Sequence, residues 1–168
     1  MAEPEYGLRP ASNADGESVT QLIESVYREY GERMHLQQAD RDLLDLENAY
    51  AGRGGSFVVL EGAQGIVGCH ATLPLDSEVK CGTFRRLYLA HDLRGHGWGD
   101  VLMSWAIDWA LQAGWKRIEF WSDTRFTRAH RFFGRFEFQK TGEVREMHDS
   151  YEPYSEFQFV WERGPARA

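Results

Sequence analysis

The stretch RGHGWGDVL, residues 94–102, constrains this chain more than any other. Glycines at 95, 97 and 99 stand between an extended run, VKCGTFRRLYLA (79–90), and a run of helical period from Gly97 to Ala113. In that helix Leu102, Trp105, Ala106, Trp109 and Ala110 share one side, and Asp100, Ser104, Asp108 and Gln112 another. Glycine admits backbone dihedrals closed to other residues and lets a ligand approach the main chain. The helix that follows opens with unpaired N–H groups and a partial positive charge. Strand, glycine turn and helix in this order therefore make an anion site, most simply for phosphate. Arg94 and His96 add donors. Spacing sets the loop apart from two other phosphate loops. Asp100 stands where the third glycine of G-x-G-x-x-G belongs, and no Lys-Ser/Thr pair follows for a P-loop. The plain alternative is a glycine-rich turn that holds nothing.

Periodicity places the remaining elements. EYGLRP (5–10) reads as a short strand, and Ser12, Asn13 and Asp15 supply N-cap chemistry for the helix behind it. Val19, Leu22, Ile23, Val26, Tyr27 and Tyr30 mark one face of that helix, which ends at Gly31. A weaker helix is predicted from Asp40 to Tyr50, with Leu43, Leu46 and Tyr50 on one side. SFVVLEG (56–62), GIVGCHATLPL (65–75) and residues 79–90 form a three-strand meander. WKRIEFWS (115–122) is a strand, TRAHRFFGRF (127–136) a short helix, FQKTG the start of a strand, and SEFQFVWE (155–162) the last strand. The expected fold class is α/β: a mixed, mostly antiparallel central sheet of about seven strands with helices on both faces. One domain is expected over 1–168, with its core at about 5–162 and a polar tail at 163–168.

Charge narrows the function. The net charge of −7 argues against a protein that wraps nucleic-acid phosphates. The charge is segregated: residues 1–84 carry 6 basic and 14 acidic groups, residues 85–136 carry 9 and 5, and residues 137–168 carry 4 and 7. The basic middle suits a small polyanion, and the acidic first half suits a cation. A solvated helix face is the bland reading for Glu24, Asp42 and Asp45. Cys69 and Cys81 form no close-paired metal spacing with His70, His91 or His96, so buried small hydrophobes are expected and no metal. No secretory signal and no spanning segment is read, so a cytoplasmic protein with reduced thiols and no membrane partner is expected.

LYLAHDLRGHGWGDVLMSWAIDWALQAGWKRIEFWS resembles the acetyl-CoA binding core of the GNAT superfamily of N-acetyltransferases, whose signature is Arg/Gln-x-x-Gly-x-Gly/Ala at a strand-to-helix turn. Arg94, Gly97 and Gly99 match it, and the resemblance covers about residues 5–162. It implies that Leu87, Tyr88 and Leu89 pair with the pantetheine arm beside a splayed strand at about 117–122. It implies that amides from Gly95, His96, Gly97, Trp98, Gly99 and Asp100 cradle the pyrophosphate, with Arg94 among the cofactor-binding set. The Leu89 amide would hold the thioester oxyanion. The implied reaction is direct attack by a primary amine of a small-molecule or peptide acceptor on acetyl-CoA. A homodimer is left open. In the family's next motif, Ala129, Phe132 and Phe138 match, while Phe126 stands for Asn, Phe133 for Tyr and Glu137 for Gly. That tyrosine is the family's acid for the leaving thiolate, and its role does not carry over to Phe133. A CoA-binding or regulatory module with weak or lost turnover is therefore the alternative.

By the same resemblance the acceptor enters among the first two helices, the central strands and the last hairpin. The candidate lining is Tyr27, Tyr30, Glu29, Glu32, His35, His70, His148, Asp149, Tyr151, Tyr154 and Glu156. His148 and Asp149, adjacent in HDSYEPYSE, are the base candidates; a plain loop is the other reading. His70 reads either as an acceptor-site residue or as a core histidine satisfied by a backbone group. Arg125, Arg128, Arg131 and Arg135 read as a phosphate-facing set or, for the last three, as one exposed helix face. Trp105 and Trp109 read as core.

Overall fold

The structure, a computed structural model, describes residues 5–164. Its strands are β1 (Tyr6–Pro10), β2 (Ser56–Gly62), β3 (Gly65–Asp76), β4 (Cys81–Leu89), β5 (Arg117–Asp123), β6 (Gln139–Met147) and β7 (Tyr154–Glu162). The α-helices are α1 (Gly16–Arg28), α2 (Leu46–Ala49), α3 (Trp98–Gln112) and α4 (Thr127–Arg135). The strands form a seven-stranded sheet in the order β1-β2-β3-β4-β5-β7-β6, antiparallel throughout except between β4 and β5.

Alternation along β2 sorts the two faces of the sheet. Phe57 and Val59 join Val19, Leu22 and Ile23 of α1 and Leu46 of α2, while Val58 and Leu60 join Leu102 of α3. Phe133 of α4 packs with Met103 and Ala106 of α3 on that second face. Trp105 and Trp109 are partly buried against these clusters, and Cys69 and Cys81 are buried.

The predicted helix from Asp40 to Tyr50 is broken into a 3-10 turn at Arg41–Leu44, the single-turn α2, and a second 3-10 turn at Ala51–Arg53. Leu43, Leu46 and Tyr50 are buried, as their spacing requires. The break has a local cause: Asp45 adopts φ −151°, ψ 79° and its side chain accepts from the Asn48 amide, capping α2. Asp42 is no solvated face residue. Its side chain is 11% exposed and paired with Arg86 from β4, and Asp40 pairs with the same guanidinium at 2.9 Å. Of the tail, residues 165–168 lie outside the described residues.

Two features open the centre of the sheet. Parallel pairing of β4 with β5 covers only Cys81 with Arg117 and Gly82 with Ile118. The Trp115 ring lies on Gly82, where a Cβ would come within 2.2 Å of it. Beyond that point β5 stays with β7, pairing as far as Asp123 with Glu156, while β4 stays with β3. The second feature is a bulge. Arg85 pairs with Ala71 and Tyr88 with Cys69, so Arg86 and Leu87 stand opposite the single residue His70. Arg86 sits at φ 59°, a conformation that costs a non-glycine residue about 1–3 kcal/mol. Its side chain offsets that strain: it bonds Asp40, Asp42, the Ala39 carbonyl at 3.0 Å and the Tyr27 hydroxyl at 3.3 Å.

Arg86→Ala leaves two carboxylates without their cation, one of them almost fully buried, and is expected to cost about 3–5 kcal/mol in urea unfolding. A loss below about 1 kcal/mol would show that water, not Arg86, compensates Asp40 and Asp42.

Candidate active site

The strand-to-helix loop is shaped by two backbone positions. Gly95 and Gly97 adopt φ 80° and 87°, and a side chain at either would be strained. Gly97 caps α3 with no side-chain partner, and the first helical bond runs from the Val101 amide to the Gly97 carbonyl at 3.2 Å. The amides of Trp98, Gly99 and Asp100 thus form the open N-terminus of a 15-residue helix.

A groove of about 550 Å³ runs from this loop along β4 to α4, within the roughly 300–1,000 Å³ of ordinary ligand sites. Leu87, Tyr88, Leu89, Arg94, Gly95, Gly97, Gly99 and Asp100 line it. Arg128, Arg131 and Arg135 line it from α4 and are all exposed, so they form one exposed helix face that borders the groove. The side chains of His96 and Trp98 do not: His96 is exposed and Trp98 packs edge-on against Tyr6 at 5.1 Å. Arg94 is engaged. Its fork grips Glu29 at 2.6 and 2.7 Å, and its Nε donates to the Leu89 carbonyl at 3.2 Å. Those bonds hold the Glu29 carboxyl below its ordinary pKa. Arg135 is balanced by Asp100 at 3.1 Å, whereas Arg128 and Arg131 have no carboxylate partner among the described residues.

The Ala90 amide donates to Val67 on the β3 side at 2.8 Å. Successive strand amides point to opposite edges, so the Leu89 N–H faces the space that β5 has left.

A second cavity, of about 170 Å³, is lined from both faces of the sheet, by Tyr27 of α1 as well as Met103 of α3 and Phe133 of α4, and shares Tyr30, Leu87, Tyr88, Phe126 and Ala129 with the groove. The two spaces meet at the splay. Tyr27, Tyr30, Glu32, Tyr154 and Glu156 line the cavity, with Asp123 and Arg125 at the end of β5. Arg125 bridges Asp123 and Glu32, each at 2.6 Å. Burial raises the Glu156 carboxyl above its ordinary pKa, against the pull of Arg145 at 2.6 Å. The Tyr154 hydroxyl donates to Asp149 at 2.8 Å, which places Asp149 behind the lining. Burial and that bond raise the Tyr154 pKa. His148 is not brought to the cavity; its ring is 67% exposed, 3.8 Å from Glu146. His35 and Tyr151 stack on each other at 4.5 Å outside the lining.

A family model described as the acetyltransferase (GNAT) family matches residues 19–138. This chain belongs to the GNAT acetyltransferase family. Its fold is similar to that of an acetyltransferase from Streptococcus agalactiae, with TM-score 0.82, 17% identity, and coverage of 96% of this chain and 100% of that one. It is also similar to yncA of Salmonella typhimurium, solved with its cofactor acetyl-CoA, with TM-score 0.73, 16% identity and 98% of each chain covered. A ribosomal-protein-alanine N-acetyltransferase from Brucella melitensis aligns with TM-score 0.72, 16% identity and coverage of 94% and 99%. No curated protein sequence matches. The seven-stranded mixed sheet is the GNAT fold.

At the position of the GNAT tyrosine, Phe133 is buried against Phe120 and Phe159, with ring centroids 4.9 and 5.2 Å away, and brings no proton to the cavity. Sequence reasoning missed Ser122, whose hydroxyl lies 3.1 Å from His130 Nε2 and whose residue lines the cavity. It also missed Asp40 and Arg86, which pair across 46 residues. The tandem Arg85-Arg86 in an otherwise apolar strand was the available signal.

His70 lines the floor of the cavity and is also a core histidine satisfied by a backbone group: it is 1% exposed, with Nδ1 3.1 Å from the Leu102 carbonyl and its ring edge-on to Phe84. Burial lowers its pKa to about 4, so the folded protein keeps it neutral where the unfolded chain, near 6.5, takes up a proton. Its contribution to stability is therefore intact above about pH 6.5 and lost as pH falls toward 4. Urea unfolding of wild type and His70→Gln between pH 7 and 4 should show the wild type losing on the order of 3 kcal/mol relative to the variant. Parallel pH profiles would place a charged or solvated imidazole there.

Proposed function

We propose that this GNAT protein transfers an acetyl group from acetyl-CoA to a primary amine of a small-molecule or peptide acceptor. The observation that carries this reading is the splay: it joins a groove with open helix amides and arginines to a cavity in which tyrosines, carboxylates and arginines stand beside an apolar floor. The residues present fit the co-substrate. Amides of Gly95–Asp100 would hold the pyrophosphate, Arg128 and Arg131 add uncompensated positive charge, and Leu87–Leu89 offer edge amides to the pantetheine arm. Bound there, acetyl-CoA supplies an activated thioester.

The chain's own groups serve the transfer as follows. The Leu89 N–H, facing the splay, stabilises the charge that develops on the carbonyl oxygen. Glu156, its basicity raised by burial, accepts a proton from the attacking amine as the C–N bond forms. Asp123, paired with Glu156 across β5 and β7, adds negative charge that attracts an ammonium, which loses one proton to water before the neutral amine attacks. As the C–S bond breaks, the thiolate takes a proton from water, because Phe133 has none to give. The cytoplasm, as inferred from reduced thiols, is the proposed location, and no helix among the described residues is long and apolar enough to cross a membrane.

Phe133 is also what favours the second reading, a CoA-binding or regulatory module without turnover. Release of free thiol from acetyl-CoA in the presence of amines separates the two. Turnover requires the transferase; tight binding with no thiol release for any amine requires the module.

Titration calorimetry should give a Kd for acetyl-CoA in the micromolar range, weakened more than about tenfold by Gly97→Glu, which strains the loop and places a carboxylate at the helix amides. No heat at millimolar acetyl-CoA would overturn both readings. Glu156→Gln should lower kcat by about 100-fold and remove the acidic limb of its pH profile, a limb set above the ordinary carboxylate pKa. An unaltered limb would assign the base elsewhere.

A further inference from the structure

The four carboxylates that line the acceptor cavity are each already bound by an arginine. Glu32 and Asp123 share Arg125, Glu156 holds Arg145, and Asp40 holds Arg86. Two lining arginines, Arg33 and Arg85, have no carboxylate within 4.0 Å among the described residues, and both are exposed. Arg33 is nevertheless held in place, its guanidinium stacked 3.6 Å over the Tyr151 ring. Arg85 feels the charge of Asp42, but the Asp42 oxygens are taken by Arg86 and Tyr50. The bulge at Arg86 is what puts two consecutive arginines of β4 on this face, one buried as a support and one left open to the cavity.

The resulting pattern is bipolar. Arg125 serves two carboxylates, so the β5–β7 wall keeps an excess of negative charge that suits an ammonium. Arg33 and Arg85 offer guanidinium groups with no anion to pair with, and guanidinium is well suited to bidentate binding of carboxylate or phosphonate. At about 170 Å³ the cavity is smaller than sites for drug-sized ligands, which favours a compact acceptor over a peptide.

We infer that the acceptor is a small amine that also carries an anionic group, an amino carboxylate or amino phosphonate, with its anion held by Arg33 and Arg85. This deepens the transferase reading and rests on it. It also reverses part of the expectation drawn from the acidic first half of the chain, since the amine is recognised together with an anion and not as a simple cation.

The test uses the full chain with acetyl-CoA and three sets of probes: the common L-amino acids, their methyl esters, and aminoalkyl phosphonates, read by thiol release and by calorimetry in the presence of CoA. The inference expects kcat/KM for the best amino acid or phosphonate to exceed that of its uncharged counterpart by at least about tenfold. Arg33→Gln and Arg85→Gln should each reduce that preference by about fivefold or more, through KM with kcat little affected. Carboxylate against phosphonate activity tells the two anion sources apart. Thiol release that favours esters or simple alkylamines overturns the inference and leaves the transferase standing. No thiol release, with anion-dependent binding that both variants weaken, supports the anion site and overturns the transferase. Neither turnover nor binding of any probe overturns both.

Discussion

Arg86 is the one side chain on which the geometry of the site turns. It occupies a left-handed backbone position in the middle of β4, and it is held there by Asp40, Asp42, Ala39 and Tyr27 on the far side of the chain. Burial alone would raise the Asp42 pKa, and the guanidinium more than offsets it, so the carboxyl is lowered on balance. The arrangement is costly to dismantle because removing either charge strands the other. What it secures is the bulge at Arg86–Leu87, which lies beyond the last β4–β5 pair at Gly82, on the stretch of β4 whose Leu89 amide faces the cleft.

The splay lets one sheet present two different chemistries to the same point. In the groove are open amides and arginines, in the cavity tyrosines, ion pairs and a carboxylate of raised basicity. Net charge by segment anticipates this only coarsely. Much of the basic middle segment is compensated locally, Arg94 by Glu29, Arg135 by Asp100, Arg125 by Asp123 and Glu32. Function follows from the residue: Arg128 and Arg131 in the groove, Arg33 and Arg85 in the cavity.

Most of the fold was legible from periodicity and turn chemistry, because the strands alternate and α1 and α3 carry long one-sided apolar patterns that no other arrangement buries as well. The glycine loop was legible because positive backbone angles and a free helix end need particular residues in a short window. What escaped were interactions set by distant partners. Asp42 reads as one more solvated acid because its partner lies 44 residues on, whereas the helix predicted at 40–50 is broken locally, by the extended backbone of Asp45 and its cap on Asn48. The sequence points to His148 and not Glu156 as the base because imidazole suggests base chemistry, while its orientation depends on which way the β6–β7 connection turns. His70 sits at the bulge on a buried face, and alternation alone leaves its surroundings open.

Acetyl-CoA binding and transfer would rest on amides: those at the start of α3 and the one at Leu89 that β5 leaves free. Hydrogen exchange followed amide by amide, with and without acetyl-CoA, tests that most directly. Protection should rise together at Leu87, Leu89 and across Gly95–Asp100, with Cys81 and Gly82, already paired to β5, little changed. Protection that appears elsewhere while these amides exchange as in the free protein would contradict it.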